Sequence, residues 1–248
     1  MYKFFVKGNK IEQERIIIDN NDVNHIKNVL RLGLGEKIAI SNLDNGDSFI
    51  CEIIKFENNT ITCKIIEKTE DISETNLHLN ILQGLPKSDK MELIIQKCTE
   101  IGAKEFTPVA LNRCIVKLTE KDELKKIERW QKISEVAAKQ SKRNIVPKVN
   151  RIIKLDKVIE LIKEYDIIIV AYEEEKENNI KQELKKLNKK EKLKIGILVG
   201  PEGGIEKEEI EIMKNSGAKI ITLGNRILRT ETAPIVMTSI IMYELEQM

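Results

Sequence analysis

The chain has 248 residues, and its 42 lysines and arginines nearly balance its 40 aspartates and glutamates, for a formal net charge of +2. This balance excludes an acidic solvating tail and a uniformly basic histone-like protein, but it permits a local basic face that binds RNA. Hydrophobic residues make up 41% of the chain, which allows a sizeable core and excludes full disorder. Aromatic residues make up only 4%, which argues against a stacking platform for single-stranded nucleic acid.

The sequence predicts a cytoplasmic protein without a metal. It has no run of about 18 apolar residues that could span a membrane, and its first residues hold no apolar stretch long enough for a signal peptide. The cysteines and histidines lie far apart, which disfavours a metal site and predicts reduced, buried thiols. These residues are Cys51, Cys63, Cys98, Cys114, His25 and His78.

The first seventy residues predict a small β-barrel that carries one helix. Runs rich in β-branched residues predict strands at 37–40, 48–54 and 60–66, and asparagine and glycine between them suit tight turns. A helix fits residues 22 to about 32, with its apolar face formed by Val23, Ile26, Val29 and Leu30. The polar stretch 67–75 predicts a linker, so we divide the chain into domains at 1–72 and 73–248.

The second domain predicts an α/β fold. Apolar runs without alternation are typical of parallel strands that are buried on both faces, and they lie near 77–82, 106–110, 167–171, 195–199 and 219–223. Helices are predicted from a Ser88 cap to Gly102, after Thr119, and at 173–190, 205–216 and 231–247. The helix after Thr119 has a predicted buried stripe of Leu124, Ile127, Trp130, Ile133 and Val136 or Ala137. The last helix is apolar enough to predict burial inside the domain or against a partner subunit.

The first candidate binding loop follows the predicted strand at 195–199. Its Gly200, Gly203 and Gly204 let a ligand approach the backbone closely, and the following helix start supplies free N–H groups. The loop is neither a Walker A loop nor a G-x-G-x-x-G motif, and Glu202 argues against a phosphate ligand. A purely structural strand-to-helix turn is the competing interpretation.

The second candidate loop follows the predicted strand at 219–223 and enters the last helix. Thr230 is placed to cap that helix, and Pro234 is tolerated in its first turn. Arg229 and Glu231 flank the cap, so both should lie near the carboxyl ends of the strands, where open α/β sheets bind ligands. The competing interpretation is a surface ion pair of little value.

Taken together, the two loops resemble the paired signatures of the ribosomal RNA small-subunit methyltransferase E family, within the SPOUT methyltransferases. The matching segments are Gly200 to Gly204 and Leu223 to Ala233. Segments at 24–31, 90–102, 113–117 and 130–147 extend the resemblance over nearly the whole chain. One departure is Lys3, where relatives often carry arginine, whose planar fork binds phosphate differently from lysine.

This resemblance implies a PUA-like β-barrel that binds RNA, followed by a SPOUT domain with a parallel sheet and a C-terminal trefoil knot. It also implies a homodimer and transfer of a methyl group from S-adenosylmethionine to N3 of one uridine in 16S ribosomal RNA. Carried over residue by residue, it assigns Arg229 to stabilising charge on uracil, and Glu231 either to accepting the proton or to orienting Arg229. The implied cofactor contacts are Leu198, Gly200, Glu202, Gly203, Gly204, Leu223, Gly224, Ile227, Leu228, Thr232 and Ala233.

RNA contacts are expected on a basic face, because phosphates position the substrate. The candidates are Lys3, Arg31, Arg113, Lys117, Lys142, Arg143 and Asn144. Two other functions stay open: a 2′-O-ribose methyltransferase of the same superfamily, and a non-catalytic RNA-binding ribosome-assembly factor. In the 2′-O-ribose methyltransferases the last motif resembles Ser-Leu-Asn, where this chain has Arg229 to Glu231. An assembly factor would not need S-adenosylmethionine.

Overall fold

The fold is given by a computed structural model, which describes residues 1–19, 22–69, 74–187 and 192–245. The chain divides into two compact units, Met1–Glu74 with Ala138–Val146, and Thr75–Ala137 with Pro147–Met248. The predicted boundary between residues 72 and 73 lies outside the described residues and stays a prediction. Residues 138–146 were predicted within the second domain, whereas they cluster with the first unit. In the described part of the chain, no helix combines the length and apolarity needed to cross a bilayer.

The first unit is built on a five-stranded sheet. Its strands are β1 (Lys3–Val6), β2 (Arg15–Ile18), β3 (Lys37–Asn42), β4 (Ser48–Phe56) and β5 (Ile61–Thr69). They are hydrogen-bonded in the order β1-β3-β4-β5-β2, with β1 parallel to β3 and the other pairs antiparallel. The three predicted strands are confirmed as β3, β4 and β5. Strands β1 and β2 were not predicted, because each has only four residues and no turn signal marks them.

The helix predicted at 22–32 is shorter and partly π-helical. Asp22–Asn24 form α1, and His25–Val29 continue it as a π-helical turn in which the Leu30 N–H donates to the His25 carbonyl at 2.9 Å. A π-turn fits more residues into each turn than an α-helix, so the α-helical spacing of the predicted apolar face does not hold. Val29 was predicted on that face and is 65% exposed.

The second unit carries a parallel sheet, as the non-alternating apolar runs predict. Its strands are β6 (His78–Gly84), β7 (Glu105–Ala110), β8 (Lys148–Val149), β9 (Ile153–Lys154), β10 (Ile167–Ala171), β11 (Lys194–Val199) and β12 (Lys219–Ile221). The order is β12-β10-β11-β6-β7-β8, and β9 also pairs with β7. Every pair is parallel, and the core lies on the sheet, with Ile169, Ile197 and Ile81 fully buried.

In the described part of the chain, five helices connect these strands and a sixth, α7, follows β12. They are α2 (Lys90–Ile101), α3 (Glu120–Gln140), α4 (Leu155–Glu164), α5 (Ile180–Lys185), α6 (Lys207–Asn215) and α7 (Thr232–Glu244). Gly102 ends α2 with φ +120°, as predicted. The Ser88 cap is wrong: Ser88 has φ +57°, and the helix begins after Asp89 without a side-chain cap. The predicted end of the last helix at residue 247 lies outside the described residues.

The buried stripe predicted for α3 is correct at Trp130 and at Ala137 and wrong at Leu124 and Val136. Trp130 and Ala137 are buried, whereas Leu124 and Val136 are exposed. The reason is the period: residues three apart drift by about 60° per step on an α-helix, so the two ends of that stripe lie about 120° from Trp130. The α3 N-terminus is as predicted, since the Thr119 hydroxyl accepts a hydrogen bond from the Asp122 N–H at 3.3 Å.

The charged helix predicted at 173–190 is wrong at its start, because α5 begins only at Ile180, and its predicted end at residue 190 lies outside the described residues. Tertiary hydrogen bonds hold the residues just before α5 out of the helix: the Thr222 N–H donates to the Asn178 carbonyl at 2.8 Å, and Asn179 bridges to Thr222 in parallel. Asn179 then caps α5 in a capping box with Gln182. Local helix propensity is overruled here by pairing with the chain beyond β12.

A polar network lies where β6, β7 and β10 begin. The Glu105 carboxylate accepts hydrogen bonds from His78 at 2.8 Å, from Asn150 at 2.6 Å and from Tyr165 at 3.3 Å. Burial by itself would raise the pKa of Glu105, but the hydrogen bonds from His78 and Asn150 lower it to about 2. The network therefore stabilises the ionised carboxylate in the folded protein.

Glu105 is expected to make the unfolding free energy depend on pH in the acid range. Its pKa is about 2 when folded and 4.5 ordinarily, so its contribution is complete above pH 4.5 and is lost as the pH falls towards 2. Glu105→Gln should lower the unfolding free energy at pH 7 by about 1–3 kcal/mol. Urea unfolding between pH 7 and pH 2.5 checks this. An unchanged acid slope in the variant would show that another carboxylate carries it.

Candidate active site

Two loops leave the parallel sheet at the carboxyl ends of their strands and meet. The first loop, residues 200–206, joins β11 to α6, and the second loop, residues 222–231, joins β12 to α7. The Thr230 hydroxyl donates a hydrogen bond of 2.7 Å to the Gly200 carbonyl and accepts one of 2.9 Å from the Gln83 amide. Thr230 is therefore a buried link between the loops. The predicted role of Thr230 as helix cap is wrong, since its hydroxyl bonds across the site instead.

A cavity of about 590 Å³ lies between the two loops, which is within the usual size of a small-ligand site. The chain after β10, at Ala171 to Glu173, forms another wall. Predicted site residues that line the cavity are Gly200, Glu202, Gly204, Leu223, Gly224, Ile227, Leu228, Arg229 and Ala233. The structure thus brings together the two glycine-bearing loops that the sequence analysis paired.

Four predicted site residues lie beside the cavity without lining it. Leu198 is fully buried in β11, and the Gly203 carbonyl accepts a hydrogen bond from Arg113 at 3.1 Å. Thr232 begins α7, where its N–H donates to the Arg229 carbonyl at 2.9 Å. Glu231 lines a second cavity, between α2 and α3.

The first loop depends on glycine for two different reasons. A Cβ on Gly200 would lie 2.7 Å from Ile205 Cγ1 and 3.1 Å from the carbonyl carbon of Gly204, so packing excludes a side chain. Gly204 has φ +71°, and a Cβ there would meet Glu173 Oε1 at 2.6 Å. These contacts favour a binding loop of fixed shape over a simple connecting turn.

Arg229 is exposed at the cavity, and its guanidinium has no hydrogen bond or ion pair within the residues that the structure describes. The predicted surface pair between Arg229 and Glu231 is therefore not formed. An arginine without a protein partner at the wall of a cavity keeps its five donors for a ligand.

Lys90 is a site residue that the sequence analysis did not single out. It begins α2 and lines the cavity, and its ammonium lies 2.9 Å from Glu202 Oε1 and 3.4 Å from Glu231 Oε2. The hydrogen bond from Lys90 lowers the pKa of Glu202 against the opposing effect of burial, and that same bond raises the pKa of Lys90. One sequence signal exists: a lysine in the first turn of a helix is unfavourable beside the helix dipole, which suggests nearby carboxylates.

The predicted RNA contacts differ in their surroundings. Arg31 is exposed in the first unit with φ +55°, and Arg113 and Lys117 are exposed in the second unit. Arg113 is also tied to the first loop, through the Gly203 carbonyl and a 3.9 Å ion pair with Glu206.

Four other predicted RNA contacts form a network within the first unit. Arg143 and Asn144 are 3% and 4% exposed, and Arg143 makes a bidentate ion pair with Glu74 at 2.7 and 3.1 Å. Lys3 donates to the Lys142 carbonyl at 3.0 Å and to the Asn144 side chain. Burial removes Arg143 and Asn144 from the basic face, and the exposed Lys142 stays a candidate. These bonds tie 142–144 to β1 and explain why that segment belongs to the first unit.

The ion pair of Arg143 with Glu74 is expected to stabilise the first unit. Glu74→Gln would remove a carboxylate that binds the buried guanidinium in bidentate fashion, and the unfolding free energy should fall by about 1.5–3 kcal/mol. Chemical unfolding checks this, with the exposed Glu12→Gln as control, which should change by less than about 0.5 kcal/mol. Equal effects of the two substitutions would contradict a structural role for the pair.

Comparison with known proteins identifies the family of this chain. Residues 73–242 match the family described as RNA methyltransferase domain, and residues 18–66 match the RNA methyltransferase PUA domain. A protein from Bacillus subtilis (strain 168), named Ribosomal RNA small subunit methyltransferase E, is 37% identical over 99% of this chain and 98% of its own length. The chain belongs to the ribosomal RNA small subunit methyltransferase E family.

One further relative and two solved structures agree with this assignment. The protein of that name from Mesomycoplasma hyopneumoniae is 33% identical over 95% of this chain and 96% of its own length. The crystal structure of the Neisseria gonorrhoeae member, bound to S-adenosyl methionine, superposes with a TM-score of 0.85 at 28% identity and covers 98% and 97% of the two chains. A Legionella pneumophila methyltransferase in complex with the same cofactor gives a TM-score of 0.80 at 26% identity, again over 98% and 97%. The predicted α/β SPOUT fold with a PUA domain is confirmed.

Proposed function

We propose that this chain transfers the methyl group of S-adenosylmethionine to N3 of one uridine in 16S ribosomal RNA of the small ribosomal subunit. The observation that carries the proposal is that both glycine-bearing loops line the same cavity, with Arg229, unpaired among the described residues, at its edge. The names of the relatives supply the class of reaction and of substrate.

The residues around the cavity fit S-adenosylmethionine. Gly200 and Gly204 expose their backbone to the cavity, since neither position has room for a Cβ. Gly224 has φ +101°, and no atom lies within 4 Å of the position that its Cβ would take. The nonpolar side chains of Leu223 and Leu228 line the same space. These five residues would hold the cofactor, which supplies a methyl group activated by its positive sulfur, so the reaction needs no metal.

Arg229 then acts on the acceptor. Uracil N3 carries a proton and becomes nucleophilic only when that proton passes to solvent water, which spreads negative charge onto the flanking carbonyl oxygens. A fixed guanidinium stabilises this charge where it develops, and alignment of the reacting atoms does the rest. Arg229 lines the cavity and Glu231 does not, so we assign charge stabilisation to Arg229.

The acceptor must be unpaired or extruded, because N3 lies on the Watson–Crick edge of the base. We propose that the PUA-like domain at 1–72 positions the RNA through Arg31, with Lys3 and Lys142 of the same unit contributing charge. Arg113 and Lys117 would contact phosphates beside the loops. Membership of the family further favours a cytoplasmic homodimer and a trefoil knot in the domain at 73–248.

Arg31 provides a test of RNA positioning. Its exposed guanidinium has no ion pair within the described residues, so Arg31→Ala should remove about one phosphate contact without disturbing the fold. We expect weaker binding to 16S ribosomal RNA at low salt, with the salt dependence reduced by about one released counterion. Filter binding from low to high salt measures both. An unchanged slope would exclude Arg31 from the interface.

Mass mapping of 16S ribosomal RNA tests the function itself. RNA from cells that lack this protein should miss one methyl group on one uracil base, and expression of the wild-type chain should restore it. A missing methyl on ribose would support the 2′-O-methyltransferase instead. No missing methyl, together with no detectable cofactor binding, would support a non-catalytic assembly factor.

A further inference from the structure

Three charged groups meet between the two loops and the start of α2. Glu202 belongs to the first loop, Glu231 ends the second loop, and Lys90 is the first residue of α2. The ammonium of Lys90 lies 2.9 Å from one carboxylate and 3.4 Å from the other. One side chain thus contacts both loops from a third element.

The carboxylate of Glu202 is held by groups at and just before the start of α2. Besides its bond with Lys90, its carboxylate accepts the Lys87 N–H at 3.1 and 3.3 Å. The side chains of Lys90 and Glu202 are each 26% exposed, so their attraction is screened less than that of a surface pair. The first loop is therefore held to the start of α2 by both backbone and side chain.

Glu231 is held differently. Its Oε2 atom is buried and has no hydrogen-bond partner within the described residues, and it forms an ion pair with the Lys90 ammonium at 3.4 Å. The other charged side chains that line the second cavity with it are Asp89, Glu92, Arg129 and Lys132. Arg129 pairs with Glu92, and Lys132 pairs with Glu128. Lys90 is thus the lysine that compensates Glu231.

We propose that Lys90 is a positioning residue that couples the cofactor loop to the loop that carries Arg229. This inference rests on the proposed function. Arg229 lies two residues before Glu231, and its carbonyl accepts the first N–H groups of α7, from Thr232 and Ala233. Holding Glu231 therefore holds the chain at Arg229, and holding Glu202 at the same time fixes the distance between the loops.

The same arrangement argues against both roles that the sequence left open for Glu231. Its buried Oε2 lies 3.4 Å from the Lys90 ammonium, and among the described residues it has no hydrogen bond or ion pair with Arg229. Glu231 therefore acts through Lys90, and it neither orients Arg229 directly nor takes the proton of the base.

A double-mutant cycle tests the coupling. The variants are Lys90→Met, Glu231→Gln and the double substitution, with Lys90→Arg to restore the charge. We expect Lys90→Met to lower kcat by about 10-fold with less than about a 3-fold change in KM for RNA, and Lys90→Arg to recover most of that loss. Because the two residues act as one unit, the double variant should be within about 2-fold of Lys90→Met alone.

Lys97→Met is the matched control, since Lys97 lies on the same helix and pairs only locally, with Glu100 at 3.0 Å. Its kcat should stay within about 2-fold of wild type. Multiplicative losses in the cycle, or a loss in Glu231→Gln far larger than in Lys90→Met, would overturn the proposal. The same cycle measured by cofactor titration and by urea unfolding needs no RNA. A wild-type chain that binds S-adenosylmethionine but methylates no 16S ribosomal RNA would refute the proposed methyltransferase function. The coupling of the two loops through Lys90 could still be measured by these two methods.

Discussion

Arg229→Ala should lower the single-turnover rate of methyl transfer by about 10²–10³-fold, the loss usual for one donor that stabilises developing charge. The affinity for S-adenosylmethionine should change by less than about 3-fold, because the proposed cofactor contacts are backbone groups and leucine side chains. The physical reason is that Arg229 is exposed at the cavity and unpaired within the described residues, so its charge serves the acceptor base. Rapid-quench assays with saturating enzyme and cofactor titration measure the two quantities separately.

Two further variants make the Arg229 result specific. Arg229→Lys keeps the charge but loses the planar fork, so its rate should lie between those of wild type and Arg229→Ala. Arg151→Ala removes the same charge from a site away from the cavity, where Arg151 pairs with Glu120 and Glu123, and should leave the rate unchanged. A wild-type rate in Arg229→Ala would remove Arg229 from the mechanism.

Gly200→Ala should weaken S-adenosylmethionine binding by about 100-fold. The new methyl group would meet Ile205 Cγ1 at 2.7 Å and the Gly204 carbonyl carbon at 3.1 Å, so the first loop must move. The Gly200 carbonyl is also the acceptor for Thr230, and its movement would disturb the link to the second loop. Overpacking of this kind costs about 1–3 kcal/mol of unfolding free energy as well. Calorimetric titration and urea unfolding measure both effects.

Gly33→Ala is the control for Gly200→Ala. Gly33 also lacks a positive φ, and the nearest atom to a Cβ there is Glu36 Oε2 at 3.9 Å, in the first unit. Cofactor binding should be unchanged in this variant. If Gly200→Ala binds S-adenosylmethionine as tightly as Gly33→Ala does, the first loop is not the cofactor cradle.

The sequence was informative where backbone requirements leave a residue signature. Strands buried on both faces need continuous apolar runs, and this identified the parallel strands β6, β7, β10, β11 and β12. Backbone that must pack against backbone needs glycine, and this located the loop at Gly200 to Gly204. Both signals are local, so no knowledge of the rest of the fold was needed to read them.

The sequence was uninformative where a residue takes its role from distant chain. The place of Lys90 in the first turn of α2 suggests a nearby carboxylate, but only the fold identifies the partners as Glu202 and Glu231, both more than a hundred residues away. Arg143 looks like a basic surface residue, and only the fold supplies Glu74 as its buried partner. Thr230 looks like a helix cap because it stands just before α7, and the sequence does not show that its hydroxyl bonds to the Gly200 carbonyl thirty residues earlier. Long-range partners of this kind have no local pattern.

The most direct test of the account is to locate the methyl group on the product. Purified protein, S-adenosylmethionine labelled in its methyl group and small subunits from cells lacking this protein should give one labelled uridine per 16S ribosomal RNA. A methyl on N3 blocks the Watson–Crick edge, so reverse transcription should stop beside that uridine, while alkali should still cleave the RNA there. Label that resists alkali without stopping reverse transcription would place the methyl on the ribose and contradict the account.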